Sequence, residues 1–207
     1  MKSISKGIDC IISLNKENVS KFCDFIIDRE MEELCEDFIL DFSVDYARDD
    51  EGIPLTEDYM FGFNYYKDEQ TYKFYTSIEF PGIFEDIDDF GTKLYWFFLE
   101  EYKFDILKYA NDIEVSFEEV MVVFSLLHEL GHMKQCLRDV NKYGDFISAI
   151  VEIKERNEIN DLENDIERFL AYRKMVTETY ADKNAIMIMK KYKNIISIWI
   201  NKIIELI

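Results

Sequence analysis

The 207-residue chain suits one domain, and 48% hydrophobic with 15% aromatic residues suffices for a packed core. Its formal charge of −19 repels nucleic acid and anionic membrane; residues 1–133 hold 31 acidic against 11 basic residues and 134–207 hold 12 against 13. No stretch approaches the ~20 apolar residues of a membrane span, so no membrane and no nucleic-acid partner is expected.

Residues 1–15 lack the basic-then-apolar layout of an export signal. The four cysteines, Cys10, Cys23, Cys35 and Cys136, have no paired metal-type spacing. Reduced thiols and a cytoplasmic location are the simplest expectation. Residues 17–37 have the amphipathic pattern of a helix, with Phe22, Phe25, Ile26 and Leu34 inward. Residues 38–46 alternate as a half-buried strand does, and Asp49-Asp50-Glu51-Gly52 breaks the pattern. Two further strands follow at 60–66 and 72–80, joined by Lys67-Asp68-Glu69-Gln70 as a hairpin. In the second, Tyr72, Phe74, Thr76, Ile78 and Phe80 share one face, and Pro81-Gly82 ends it. Residues 94–109 are aromatic and helical in pattern.

Ser116-Phe117-Glu118-Glu119 reads as a capping box opening a helix to about Leu137. Val120, Met121, Val122, Val123, Phe124, Leu126 and Leu127 are apolar nearly all round, the mark of a helix buried on several sides. Both histidines of the chain lie in this helix, in the run His128-Glu129-Leu130-Gly131-His132. Two histidines placed at random fall four apart about one time in a hundred, before the adjacent glutamate is counted. At i and i+4 both imidazoles reach one metal ion, while Glu129 lies elsewhere on the turn, within reach of a water on that ion. Gly131 suits a place where another element comes close to the metal face.

The rest of the chain reads as helical, with a long pattern over 161–192 and a last segment over 195–207. A catalytic zinc commonly takes three protein ligands and keeps a fourth position for water. With no histidine left, the third ligand is a carboxylate or a thiolate. Gln135 and Arg138 exclude the longer three-histidine motif. The best candidates are Glu178 and Asp182 in Thr177-Glu178-Thr179-Tyr180-Ala181-Asp182, again i and i+4. One can bind the ion while the other accepts a hydrogen bond from a ligand imidazole. Their apolar setting separates them from Glu163, Asp165 and Glu167, which lie in a charge-dense stretch. Cys136, one turn past His132, reads as a packed core thiol.

His128-Glu129-Leu130-Gly131-His132 followed by Glu178-Thr179-Tyr180-Ala181-Asp182 resembles the gluzincin branch of the zincin-like zinc metallopeptidases, over roughly residues 116–190. The resemblance implies an α+β fold: a small N-terminal sheet with helices, a central metal-binding helix and a helical C-terminal lobe. As domains these are 1–133, carrying the sheet and the active-site helix, and 134–207, carrying the third ligand, in one compact unit. It implies Zn2+ held by His128, His132 and Glu178, Asp182 supporting a ligand imidazole, and Glu129 as general base on a zinc-bound water. The expected reaction is hydrolysis of a peptide or protein substrate, an edge strand (72–80 or its hairpin mate) pairing with the extended chain. Family members often carry a histidine or tyrosine that steadies the oxyanion; here Tyr172, Arg173 or Tyr180 would have to serve, Tyr172 first. Lys134 is more polar than the family's usual residue at that position. One alternative is a weak or inactive protein of this fold that binds a basic partner. Another is a purely structural zinc with Cys136 or a further carboxylate as fourth ligand.

Overall fold

In a computed structural model of the chain, residues 15–46, 48, 61–80, 102–115 and 117–205 are described. The first helix, α1 (Lys16–Glu30), is opened by Asn15, whose side chain accepts from the Asn18 amide at 3.0 Å. It buries Val19, Phe22, Cys23 and Ile26, a spacing of three, four and seven that forms one apolar stripe. The helix stops at Glu30, seven residues short of the expected end, because Met31 is already extended. Leu34 packs against the core from the following segment.

Strands β1 (Ile39–Tyr46), β2 (Gly62–Asp68) and β3 (Lys73–Phe80) form a three-stranded sheet in the order β1-β3-β2. β3 runs parallel to β1 and antiparallel to β2. β3 therefore lies in the middle, and of the two strands considered for edge pairing only its hairpin mate β2 is at an edge. Phe74, Thr76, Ile78 and Phe80 alternate into the core, as expected. Tyr72 does not join them. It ends the hairpin turn with φ 52° and is largely exposed, while Asp68 Oδ1 accepts from the Gln70 amide at 2.8 Å within the turn.

Of the remaining helices, α2 (Lys103–Ile113), α4 (Ile147–Asn160) and α6 (Val176–Lys191) pack on α3 (Phe117–Tyr143), while α5 (Asp165–Arg173) packs on α4 and α6, and α7 (Lys193–Glu205) on α2 and α6. From Val120 to Leu127 every residue of α3 is buried, and the apolar ones join the main core with residues of α1, β1, β3, α2, α6 and α7. The 133/134 division falls inside α3, so both parts of the chain share that helix. The expected helix over 161–192 is two helices, α5 and α6, with a break at Lys174 and Met175. The capping serine Ser116, the breaks at 49–52 and 81–82 and the segment 94–101 lie outside the described residues. The chain is α+β in class, and no described helix is long and apolar enough to cross a membrane.

Candidate metal centre

The centre is built where α3 and α6 touch. A Cβ on Gly131 would lie 2.8 Å from the Ala181 Cα and 3.0 Å from its carbonyl oxygen, so only glycine permits this approach. On α3, His128 lies one turn before Gly131 and His132 directly after it; on α6, Glu178 lies one turn before Ala181 and Asp182 directly after it. His128 Nε2 and His132 Nε2 are 3.1 Å apart. The Glu178 carboxylate lies 3.3 Å from His128 Nε2 through Oε2 and 3.5 Å from His132 Nε2 through Oε1. All three side chains are buried. The sequence spacing and the fold thus bring together the two histidines and the distant glutamate.

Asp182 fixes the orientation of His128. Its Oδ1 lies 2.8 Å from His128 Nδ1, which donates, leaving Nε2 to face the cluster. Arg173, last residue of α5, donates from Nη1 to Glu178 Oε2 at 2.7 Å and from Nη2 to both oxygens of Asp182 at 2.6 and 2.5 Å. Burial opposes charge on Glu178, but hydrogen bonds and attraction from both histidines hold its carboxyl well below the usual range. Its place in the first turn of α6 acts in the same sense. Burial likewise opposes protonation of His128, yet the Asp182 and Glu178 carboxylates prevail and push it up to about 10. Burial raises the Glu129 carboxyl, partly offset by the histidines and by a hydrogen bond from the Phe63 backbone on β2.

His128, His132 and Glu178 could hold a metal ion. A tetrahedral ion with bonds of about 2.0–2.1 Å keeps its ligand atoms about 3.3–3.4 Å apart; the two ring nitrogens are 3.1 Å apart, and each faces a different oxygen of Glu178, His128 at 3.3 Å and His132 at 3.5 Å, all close to that spacing. Two imidazoles and one carboxylate are a donor set that zinc accepts. Glu129 lies 3.9 Å from His128 Nε2, close to the cluster.

A cavity of about 330 Å³ opens on this centre, with Glu129, His132 and Glu178 on one side. Phe63 and Tyr65 of β2 form a second wall, and Ala149, Glu152, Ile153 and Arg156 of α4 a third. Tyr172 lines it too. Burial and the adjacent Glu178 carboxylate raise its hydroxyl above the ordinary range, so it remains a proton donor. Arg156 reaches the Tyr172 hydroxyl at 3.4 Å and stacks 4.8 Å from its ring. Of the other residues considered for the oxyanion, Arg173 turns to the carboxylates. Tyr180 lies under the Arg138 guanidinium, 4.8 Å away. Neither lines the cavity.

Cys136 is outside the centre. It packs with Phe74, Val140, Phe146 and Ala149, and burial pushes its thiol up to about 12. The group that could hold a metal ion is His128, His132 and Glu178, without Cys136. Glu163 and Glu167 are exposed. Glu152 and Arg156 carry no local signal in the sequence, since i, i+4 spacing of opposite charges on an acidic, basic-flecked helix is an ordinary surface pattern. No known protein family, curated protein or solved structure matches this chain.

Proposed function

We propose that the protein is a zinc-dependent metallopeptidase of the gluzincin type, with a zincin-like arrangement of sheet and helices. The observation that carries this reading is the meeting of His128 Nε2, His132 Nε2 and the Glu178 carboxylate at 3.1–3.5 Å, from two helices far apart in sequence. His128, His132 and Glu178 would hold the zinc, and Asp182 would keep His128 in the tautomer that presents Nε2. A bound zinc supplies Lewis acidity toward a carbonyl oxygen and lowers the pKa of water toward ~7.

Glu129 takes the water's proton and returns it to the leaving amine, a role its burial beside the cluster supports. Tyr172, with its hydroxyl held between Arg156 and Glu178, is the donor suited to charge developing on the carbonyl oxygen. The substrate is an extended peptide. β2 pairs on one side only among the described residues, and its Phe63 and Tyr65 face the cavity, so the peptide adds to that edge.

Glu129→Gln in the full chain tests the reading. Turnover of a peptide library should fall by at least ~10²-fold, with zinc content unchanged by elemental analysis. Hydrolysis at the wild-type rate in this variant removes Glu129 from the mechanism, and a wild-type protein that takes up no zinc ends the reading.

A further inference from the structure

We propose that Arg173 is a positioning residue that keeps Glu178 a one-oxygen ligand and so leaves the metal an open position. The inference rests on the metallopeptidase reading above. Arg173 spans both carboxylates of α6, with Nη1 on Glu178 Oε2 at 2.7 Å and Nη2 on Asp182 at 2.6 and 2.5 Å. Oε2 lies 3.3 Å from His128 Nε2 but already accepts from the guanidinium, so Oε1, 3.5 Å from His132 Nε2, is the oxygen that takes a cation without giving up that bond. A carboxylate that closes on a metal through both oxygens takes a position that water or substrate needs.

The charges agree with this role. Glu129, Glu178 and Asp182 place three carboxylates around the centre, and Arg173 supplies one fixed positive charge against them. A divalent cation then brings the cluster to neutrality with both imidazoles uncharged, which a buried site requires. The planar fork matters as well as the charge. One guanidinium can hold two carboxylates at once in fixed directions, whereas an ammonium is a single compact charge.

The break in the chain exists in the right place for this contact. In an unbroken helix Arg173 would lie nine residues from Asp182, about 13.5 Å along the axis and on the opposite face. Because α5 ends at Arg173 and α6 starts at Val176, the guanidinium folds back onto the first turns of α6. Met175 closes that corner by donating its amide to the Tyr172 carbonyl at 3.0 Å.

The test loads the full chain with Co2+, in the wild type, Arg173→Gln and Arg173→Lys. It reads the visible absorption of the cobalt, with circular dichroism as a check on folding. The wild type should give the intense band of four-coordinate cobalt. Both variants should bind cobalt but lose most of that intensity as Glu178 adds its second oxygen. An unchanged band in Arg173→Gln, or recovery of the band in Arg173→Lys, overturns the proposal while leaving the metal site standing. Should the glutamine variant not fold, the lysine variant, which keeps the buried cation, decides the matter. A wild type that takes up no cobalt takes down the metallopeptidase reading and this inference with it.

Discussion

Asp182 holds a ring nitrogen of His128 on one side and the Arg173 guanidinium on the other, so it is the residue through which orientation reaches the metal face. Replacing it by asparagine keeps the shape but removes the charge that favours Nδ1–H on His128. Zinc affinity should fall ~10–100-fold, measured by competition with a chelating dye; affinity within a factor of two of the wild type rules this role out. At this scale the sequence discloses a residue where its own spacing is the signal. His128, Glu129 and His132 are legible because i and i+4 on a helix share a face whatever surrounds it. Glu178 and Asp182 are legible for the same reason, aided by the apolar residues around them. Arg156 is not, and Arg173 is legible only as an oxyanion candidate, because the carboxylates it holds are reached only after the chain has turned.

Among the elements, α3 and α6 decide the geometry, and Gly131 decides how closely they approach. Gly131→Ala adds a methyl group 2.8 Å from the Ala181 Cα, a contact with backbone that cannot rotate away. Alanine gains about 1 kcal/mol in helix propensity, but forcing two buried helices apart costs about 1–3 kcal/mol, so the net change is destabilising. The melting temperature should drop, and zinc affinity with it, because the same shift separates Glu178 from the imidazoles. A variant as stable as the wild type that binds zinc as well contradicts the close-packed contact. Element type was readable from periodicity: the apolar stripe of α1, the alternation in β3 and the all-round burial of α3 follow from it directly. Two element-scale features were not. The break between α5 and α6 has no glycine or proline to mark it, since tertiary contacts of Arg173 and Glu178 hold the corner. Strand order is likewise set by packing rather than by local pattern, and it is what leaves β2, and not β3, at the edge beside the cavity.

Across the molecule, the cavity walls are tied to one another by polar contacts remote from the metal face. Lys67 at the end of β2 donates to the Gly144 carbonyl at 2.7 Å, and Asp139 of α3 accepts from the Ser148 amide of α4 at 2.7 Å. Glu30 at the end of α1 pairs with Lys191 at 2.6 Å and accepts from the Tyr192 hydroxyl, pinning α1 to the end of α6. These ties and the metal centre give the fold a definite dependence on pH. Glu30, opposed by burial but favoured by Lys191, Tyr192 and Lys134, has a lowered pKa, as does Glu178. Their contribution is therefore present above the unfolded carboxyl value of about 4.3 and is lost as pH falls below it. His128 behaves oppositely. Raised to about 10 in the metal-free fold, it contributes fully below its unfolded value of about 6.5, and the contribution drains away as pH climbs toward 10. Stability of the metal-free protein should thus decline between pH 6.5 and 8.5, by up to ~1.4 kcal/mol per pH unit from this group. Zinc must displace the same proton, so its apparent affinity rises up to about tenfold per pH unit over that span. At a fixed excess of zinc the loaded protein is consequently held level while the metal-free one weakens. Urea unfolding at pH 6.5, 7.5 and 8.5, with chelator and with zinc, should show the gap between the two curves widening with pH. Curves that stay parallel would mean that His128 carries no extra proton in the metal-free fold, and that the Asp182 and Glu178 carboxylates do not act on it as their distances require.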